Sequence, residues 1–137
     1  PSEGATELEP VDLPDLPGKT ILVIEDNPDN LLAITALLSE TGAEIATAGD
    51  GQAGLLQTRK IRPDLVLLDI QLPILSGMDV AKGMKSDAEL KTIPIIAVTA
   101  SVMKGDRDDI LAAGCDDFVA KPINPADLGR ALRKWLL

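Results

Sequence analysis

The strongest restriction on the fold is an alternation. Five short runs of β-branched and aliphatic residues, each followed by a stretch with helical spacing, fill the chain from Lys19 to Leu137. Residues 20–25 (TILVIE) form a continuous apolar run suited to a strand buried on both faces. Asn27 and Pro28 supply an N-cap and a first-turn proline. Leu31, Leu32, Ile34, Leu37 and Leu38 then recur at helical spacing until Gly42 stops the helix. The unit repeats: a strand over residues 43–48, then a short helix capped by Asp50 that runs to about Arg62 and ends at Pro63. LVLLD (65–69) is a third strand, followed by the loop QLPILSG and a helix over residues 78–85. IIAVT (95–99) is a fourth strand, with a helix to about Ala113 closed by Gly114. DFVAK ends at Lys121, and Asn124 with Pro125 open a last helix.

Strands separated by helices imply a parallel sheet covered on both faces. Five units in 119 residues favour a flavodoxin-like (βα)5 three-layer sandwich with strand order 2-1-3-4-5 over a six-stranded dinucleotide fold. Ligands in such sheets sit at the carboxyl edge, near the switch between the first and third strands.

Residues 1–18 fall outside the pattern. Glu3, Glu7, Glu9, Asp12 and Asp15 stand there without a base, interspersed with Pro1, Pro10, Pro14 and Pro17. This reads as an acidic linker, with the folded domain over residues 19–137. A chain opening on Pro1 rather than Met reads as a piece cut from something longer.

Composition removes whole classes of chemistry. The chain has no histidine, so Ser-His-Asp catalysis, Cys-His nucleophiles, His-ligated zinc and phosphohistidine donation are excluded. Cys115 is the only cysteine, which excludes an internal disulfide and suits a reducing compartment. The formal charge of −9 opposes non-specific binding to nucleic acid or anionic lipid. Phe118 and Trp135 are too few aromatics for a base-stacking platform. No apolar run reaches bilayer-spanning length and no signal peptide opens the chain. A cytoplasmic protein without direct nucleic-acid or membrane contact is expected.

The strand ends carry the functional signal. The first strand ends in Glu25 and Asp26, the third in Asp69, the fourth in Thr99 and the fifth in Lys121. An acid after a strand is usually a turn former, but five such ends meet on one edge of a parallel sheet. Clustered carboxylates raise one another's pKa unless a cation is present, and an oxygen-only donor set suits Mg²⁺. With Asp26 and Asp69 on the metal, Lys121 and Thr99 would face a phosphoryl group, the parts needed for phosphoryl transfer. A carboxylate can itself be the nucleophile, and Asp69 is central.

The acidic pair in VIEDNPDN, together with LVLLDIQLP, AVTAS and FVAKPI, resembles the motifs of the receiver domain of two-component response regulators. The resemblance covers residues 19–137, and 2-1-3-4-5 is also that family's strand order. It implies Asp69 as phosphoacceptor and the phosphohistidine of a histidine kinase or histidine phosphotransfer protein as donor. It implies Mg²⁺ held by Asp26, Asp69 and the Gln71 backbone carbonyl, with Glu25 holding metal-bound water. Lys121 would pair with the phosphoryl group and precede a cis bond to Pro122. Thr99 and Phe118 would switch the face made by the fourth helix, fifth strand and fifth helix, where a weak homodimer could form. Gln71 and Ser101 lie at positions where the family varies and where access of hydrolytic water is tuned. The chain is expected to be a single-domain regulator or the receiver of a hybrid histidine kinase.

Rival readings remain in view. GDGQAG matches a G-x-G-x-x-G dinucleotide motif at Gly49, Gly51 and Gly54, with Asp69 at a ribose-binding distance. That reading leaves Glu25, Asp26, Thr99 and Lys121 unexplained. A Mg²⁺-dependent phosphohydrolase also uses an aspartyl nucleophile, but its usual second aspartate is Gln71 here. A degenerate receiver that only docks partners would not need every acidic, hydroxyl and lysine position filled.

Overall fold

The computed structural model describes residues 13–100 and 103–137; the first 12 residues of the expected linker, and Ser101, lie outside the described residues. The elements follow the expected alternation: β1 (Thr20–Ile24), α1 (Pro28–Ser39), β2 (Glu44–Ala48), α2 (Gly51–Ile61), β3 (Leu65–Asp69), α3 (Gly77–Lys85), β4 (Ile95–Thr99), α4 (Lys104–Ala112), β5 (Asp117–Ala120) and α5 (Pro125–Leu136). The strands form one parallel sheet in the order β2-β1-β3-β4-β5. Among the described residues no helix is long and apolar enough to cross a membrane.

Strand periodicity divides the core into two layers. Leu22, Ile24, Val66, Leu68, Ile95 and Ala97 face Val80, Ala81 and Met84 of α3 and Ile110 of α4. Ile21, Val23, Leu65, Leu67, Ile96 and Val98 face Ile34 and Leu38 of α1 and Leu128 and Leu132 of α5. β1, β3 and β4 are buried on both faces, which is why they read as unbroken apolar runs.

The helix starts are set locally. The Asn27 side chain accepts the N–H groups of Asp29 and Asn30, Asp50 accepts that of Ala53, Ser76 that of Asp79, and Asn124 that of Asp127. Asn27 and Asn124 precede prolines, which need no hydrogen-bond partner in the first turn.

Two apolar segments pack where local sequence pointed elsewhere. In the stretch expected to be linker, Leu16 is 1% exposed and its N–H donates to the Thr41 carbonyl at 2.6 Å. Leu13 packs against the same α1/α5 layer. Packing thus begins before Lys19, because this apolar layer covers two leucines set among prolines. After α3, Leu90 and Ile93 enter the other layer from a segment of turns. Lys85 caps that segment, donating to the carbonyls of Lys91 and Ile93 and pairing with Asp116 at 2.9 Å.

Candidate functional site

The sheet register brings the strand ends to one level. Ile24 pairs with Ala48 and Leu68, Asp69 with Val98, and Thr99 with Ala120. Glu25 and Lys121 each lie one residue past their strands, and the backbone holds both in place. The Glu25 N–H donates to the Ala48 carbonyl at 3.0 Å, and the Lys121 N–H to the Thr99 carbonyl at 2.8 Å.

Carboxylate oxygens of Glu25, Asp26 and Asp69 lie within 4.8 Å of one another. Glu25 and Asp69 are 1% and 3% exposed, whereas Asp26 stands exposed at the mouth. The Lys121 ammonium lies 3.2 Å from Asp69 Oδ1 and 3.4 Å from Glu25 Oε1. Asp69 Oδ1 also accepts the Gln71 N–H at 2.9 Å, so two donors orient this carboxylate. Glu25 Oε2 accepts the Asn27 N–H at 3.1 Å.

Charge balance leaves room for a cation. Glu25 Oε1 is buried and receives no hydrogen bond, since the nearby lysine is at ion-pair distance without hydrogen-bond geometry. Burial lifts the Glu25 carboxyl above the usual carboxylate range, and neighbouring Asp69 adds to this. The Asn27 N–H and Lys121 act in the opposite direction. An orphaned buried oxygen among three carboxylates fits a hard, oxygen-seeking divalent cation held in this cluster.

The other expected residues lie on β4 and β5 and in the turn after β5. Thr99 is 4% exposed at the end of β4. The Lys121–Pro122 peptide bond is cis. Phe118 is half-buried against the α3/α4 core layer, with the Arg107 guanidinium of α4 6.0 Å from its ring centroid. Trp135 packs against the α1/α5 layer, its indole N–H donating to Asp117 at 3.0 Å.

The G-x-G-x-x-G segment has a packing explanation. A Cβ on Gly51 would meet the Leu75 carbonyl at 2.7 Å, and one on Gly54 would meet Ile24 at 2.5 Å. The strand before it, β2, is at the sheet edge. Sequence reasoning missed two supporting residues. Asn27 holds Glu25 as well as capping α1. Gly77 lets the chain after Asp69 turn closely back, because a Cβ there would sit 2.3 Å from the Asp69 carbonyl. The glycine of QLPILSG was the available signal.

Comparison with known proteins agrees with this geometry. The family model of the response regulator receiver domain matches residues 21–133. The polar-differentiation response regulator DivK of Brucella anthropi is 40% identical over 118 residues, covering 86% of this chain and 96% of DivK. The receiver domain of the sensor histidine kinase PA1611 from Pseudomonas aeruginosa, solved with a magnesium ion coordinated in its active-site cleft, superposes with a TM-score of 0.80. It is 36% identical over 86% of this chain and 97% of that one. The receiver domain of Ssk1 from Saccharomyces cerevisiae, crystallised with the histidine phosphotransfer protein Ypd1, gives a TM-score of 0.79. It is 27% identical over 87% of this chain and 89% of that one.

Proposed function

The chain belongs to the response regulator receiver domain family, the phosphoacceptor modules of two-component signalling, and on that premise we propose that Asp69 is the residue that takes the phosphoryl group. The observation that carries this reading is the Asp69 carboxylate, at the end of the central strand, oriented by Lys121 and Gln71 inside a carboxylate cluster. The donor is the phosphohistidine of a histidine kinase or histidine phosphotransfer protein, and a cytoplasmic setting suits the free thiol of Cys115.

In the transfer, an Asp69 oxygen attacks phosphorus and the phosphorus–nitrogen bond of the donor breaks. The electron pair returns to the imidazole, leaving an aspartyl phosphate. Lys121 follows the charge from the carboxylate to the phosphoryl oxygens. Asp26, Asp69 and the Gln71 carbonyl would hold Mg²⁺, with Glu25 steadying its water. The bound ion would supply further positive charge to the phosphoryl oxygens. The Thr99 hydroxyl then takes a phosphoryl oxygen, and Phe118 turns inward. That turn breaks the Arg107 contact and alters the face formed by α4, β5 and α5.

Incubation with phosphoramidate and Mg²⁺, followed by intact-mass spectrometry, tests the reading. One phosphoryl group per chain is expected, lost with a chelator or in Asp69→Asn. Absence of an adduct with Mg²⁺ present would refute it. Turnover of many phosphate equivalents would favour a phosphohydrolase.

A further inference from the structure

Ile74 combines two unfavourable features in one residue. Its backbone φ is +66°, a left-handed conformation that a β-branched side chain strongly resists. Its side chain is also fully exposed. It lies in the loop between β3 and α3, whose ends are pinned at the site. The Gly77 N–H donates to the Ile70 carbonyl at 3.1 Å, and the Gln71 N–H to Asp69. Across a groove of about 550 Å³, Leu56 of α2 is also exposed. Leu55, Pro73 and Leu75 line the space between them. Arg59 at the rim is drawn to Asp87 at 3.6 Å.

We propose that Ile74 and Leu56 form a donor-selecting contact, an apolar anchor for the protein that delivers the phosphoryl group; this rests on the reading of Asp69 as acceptor. The occupant follows from continuity with the face any donor must cover. Asp69 is only 3% exposed, so a phosphohistidine reaches it only if the donor closes over the loops around it. A standard interface covers about 800 Å² per partner, a disc of about 16 Å radius. Ile74 is three residues from Gly77, at most about 11 Å along the chain, and Gly77 packs on the Asp69 carbonyl. Ile74 therefore lies inside the donor's footprint, with Leu56 lining the same groove. Exposed aliphatic side chains beside an apolar groove call for an apolar side chain on the donor.

The test compares two phosphoryl sources on wild type, Ile74→Asn, Leu56→Gln and the double variant. Asparagine tolerates the left-handed backbone, so the loop is kept. Transfer from phosphorylated Ypd1 is expected to slow by about ten-fold in the double variant, through a raised KM. Labelling by phosphoramidate, which needs no docking surface, is expected to stay within about two-fold. Equal transfer from phosphorylated Ypd1 to wild type and variants would overturn the proposal. So would a parallel loss of both activities, which would indicate damage to the acceptor. Failure of wild type to accept from phosphoramidate would instead sink the acceptor reading itself.

Discussion

The ammonium of Lys121 stands 3.2 Å from Asp69 Oδ1, joining the ends of β5 and β3 across the intervening β4. On the proposed reading it follows negative charge as it moves from the carboxylate to a phosphoryl group. Replacing Lys121 by Met should slow labelling by phosphoramidate about 10²-fold, the scale of losing one preorganised charge donor. Lys121→Arg should restore little, since a planar guanidinium does not occupy the place of a compact ammonium. Initial rates from intact-mass spectrometry check both, with circular dichroism confirming the fold.

Mg²⁺ should stabilise the protein. Three carboxylates crowd together, Lys121 pairs with two of them, and Glu25 Oε1 is buried without a hydrogen bond, so cation binding relieves repulsion present only in the folded state. At ten times the dissociation constant the gain is about 1.4 kcal/mol, a rise of several degrees in Tm. Asp26 is exposed, so Asp26→Asn should fold normally yet show little of that rise. Thermal melts with and without Mg²⁺ measure it.

Gly77 and Gly83 should respond oppositely to alanine. At Gly77 the added Cβ meets only backbone, 2.3 Å from the Asp69 carbonyl and 2.6 Å from Ile70 Cα. Gly77→Ala should cost about 1–3 kcal/mol and slow phosphorylation by displacing the acceptor. At Gly83 the nearest atoms are Leu55 methyls at 3.5 Å, so Gly83→Ala should stabilise α3 by about 0.5–1 kcal/mol. Urea unfolding gives both signs.

Burial pushes the Cys115 thiol up to about 12 from its ordinary 9.0, with neighbouring Asp116 adding to the shift and Lys85 opposing it. At pH 8 only about one thiol in ten thousand is ionised in the folded protein. Alkylation by iodoacetamide should therefore be very slow until urea unfolds the chain. Because the folded pKa is raised, the associated stability is complete below pH 9 and declines as pH rises from 9 toward 12. Cys115→Ala should remove that part of the alkaline fall.

The parts legible in the sequence were those fixed by local pattern. Buried strands announced themselves as TILVI, LVLLD and IIAVT, and the polar residue ending each run located the edge where Glu25, Asp26, Asp69, Thr99 and Lys121 meet. Parallel order then brought them together without knowledge of any contact. What stayed hidden depends on distant neighbours. Leu16 looks like linker until the α1/α5 layer covers it, and Leu90 and Ile93 look like loop until the opposite layer does. Gly77 and Ile74 needed the closure of the loop after Asp69 to show their meaning.

The central claim is tested most directly by locating the phosphoryl group. After labelling with phosphoramidate and Mg²⁺, borohydride reduction converts an aspartyl phosphate to homoserine, and peptide sequencing finds its position. Homoserine at position 69, and nowhere else, is the result this account predicts. Homoserine at position 26, or a phosphate ester on a serine or threonine that borohydride leaves in place, would contradict it.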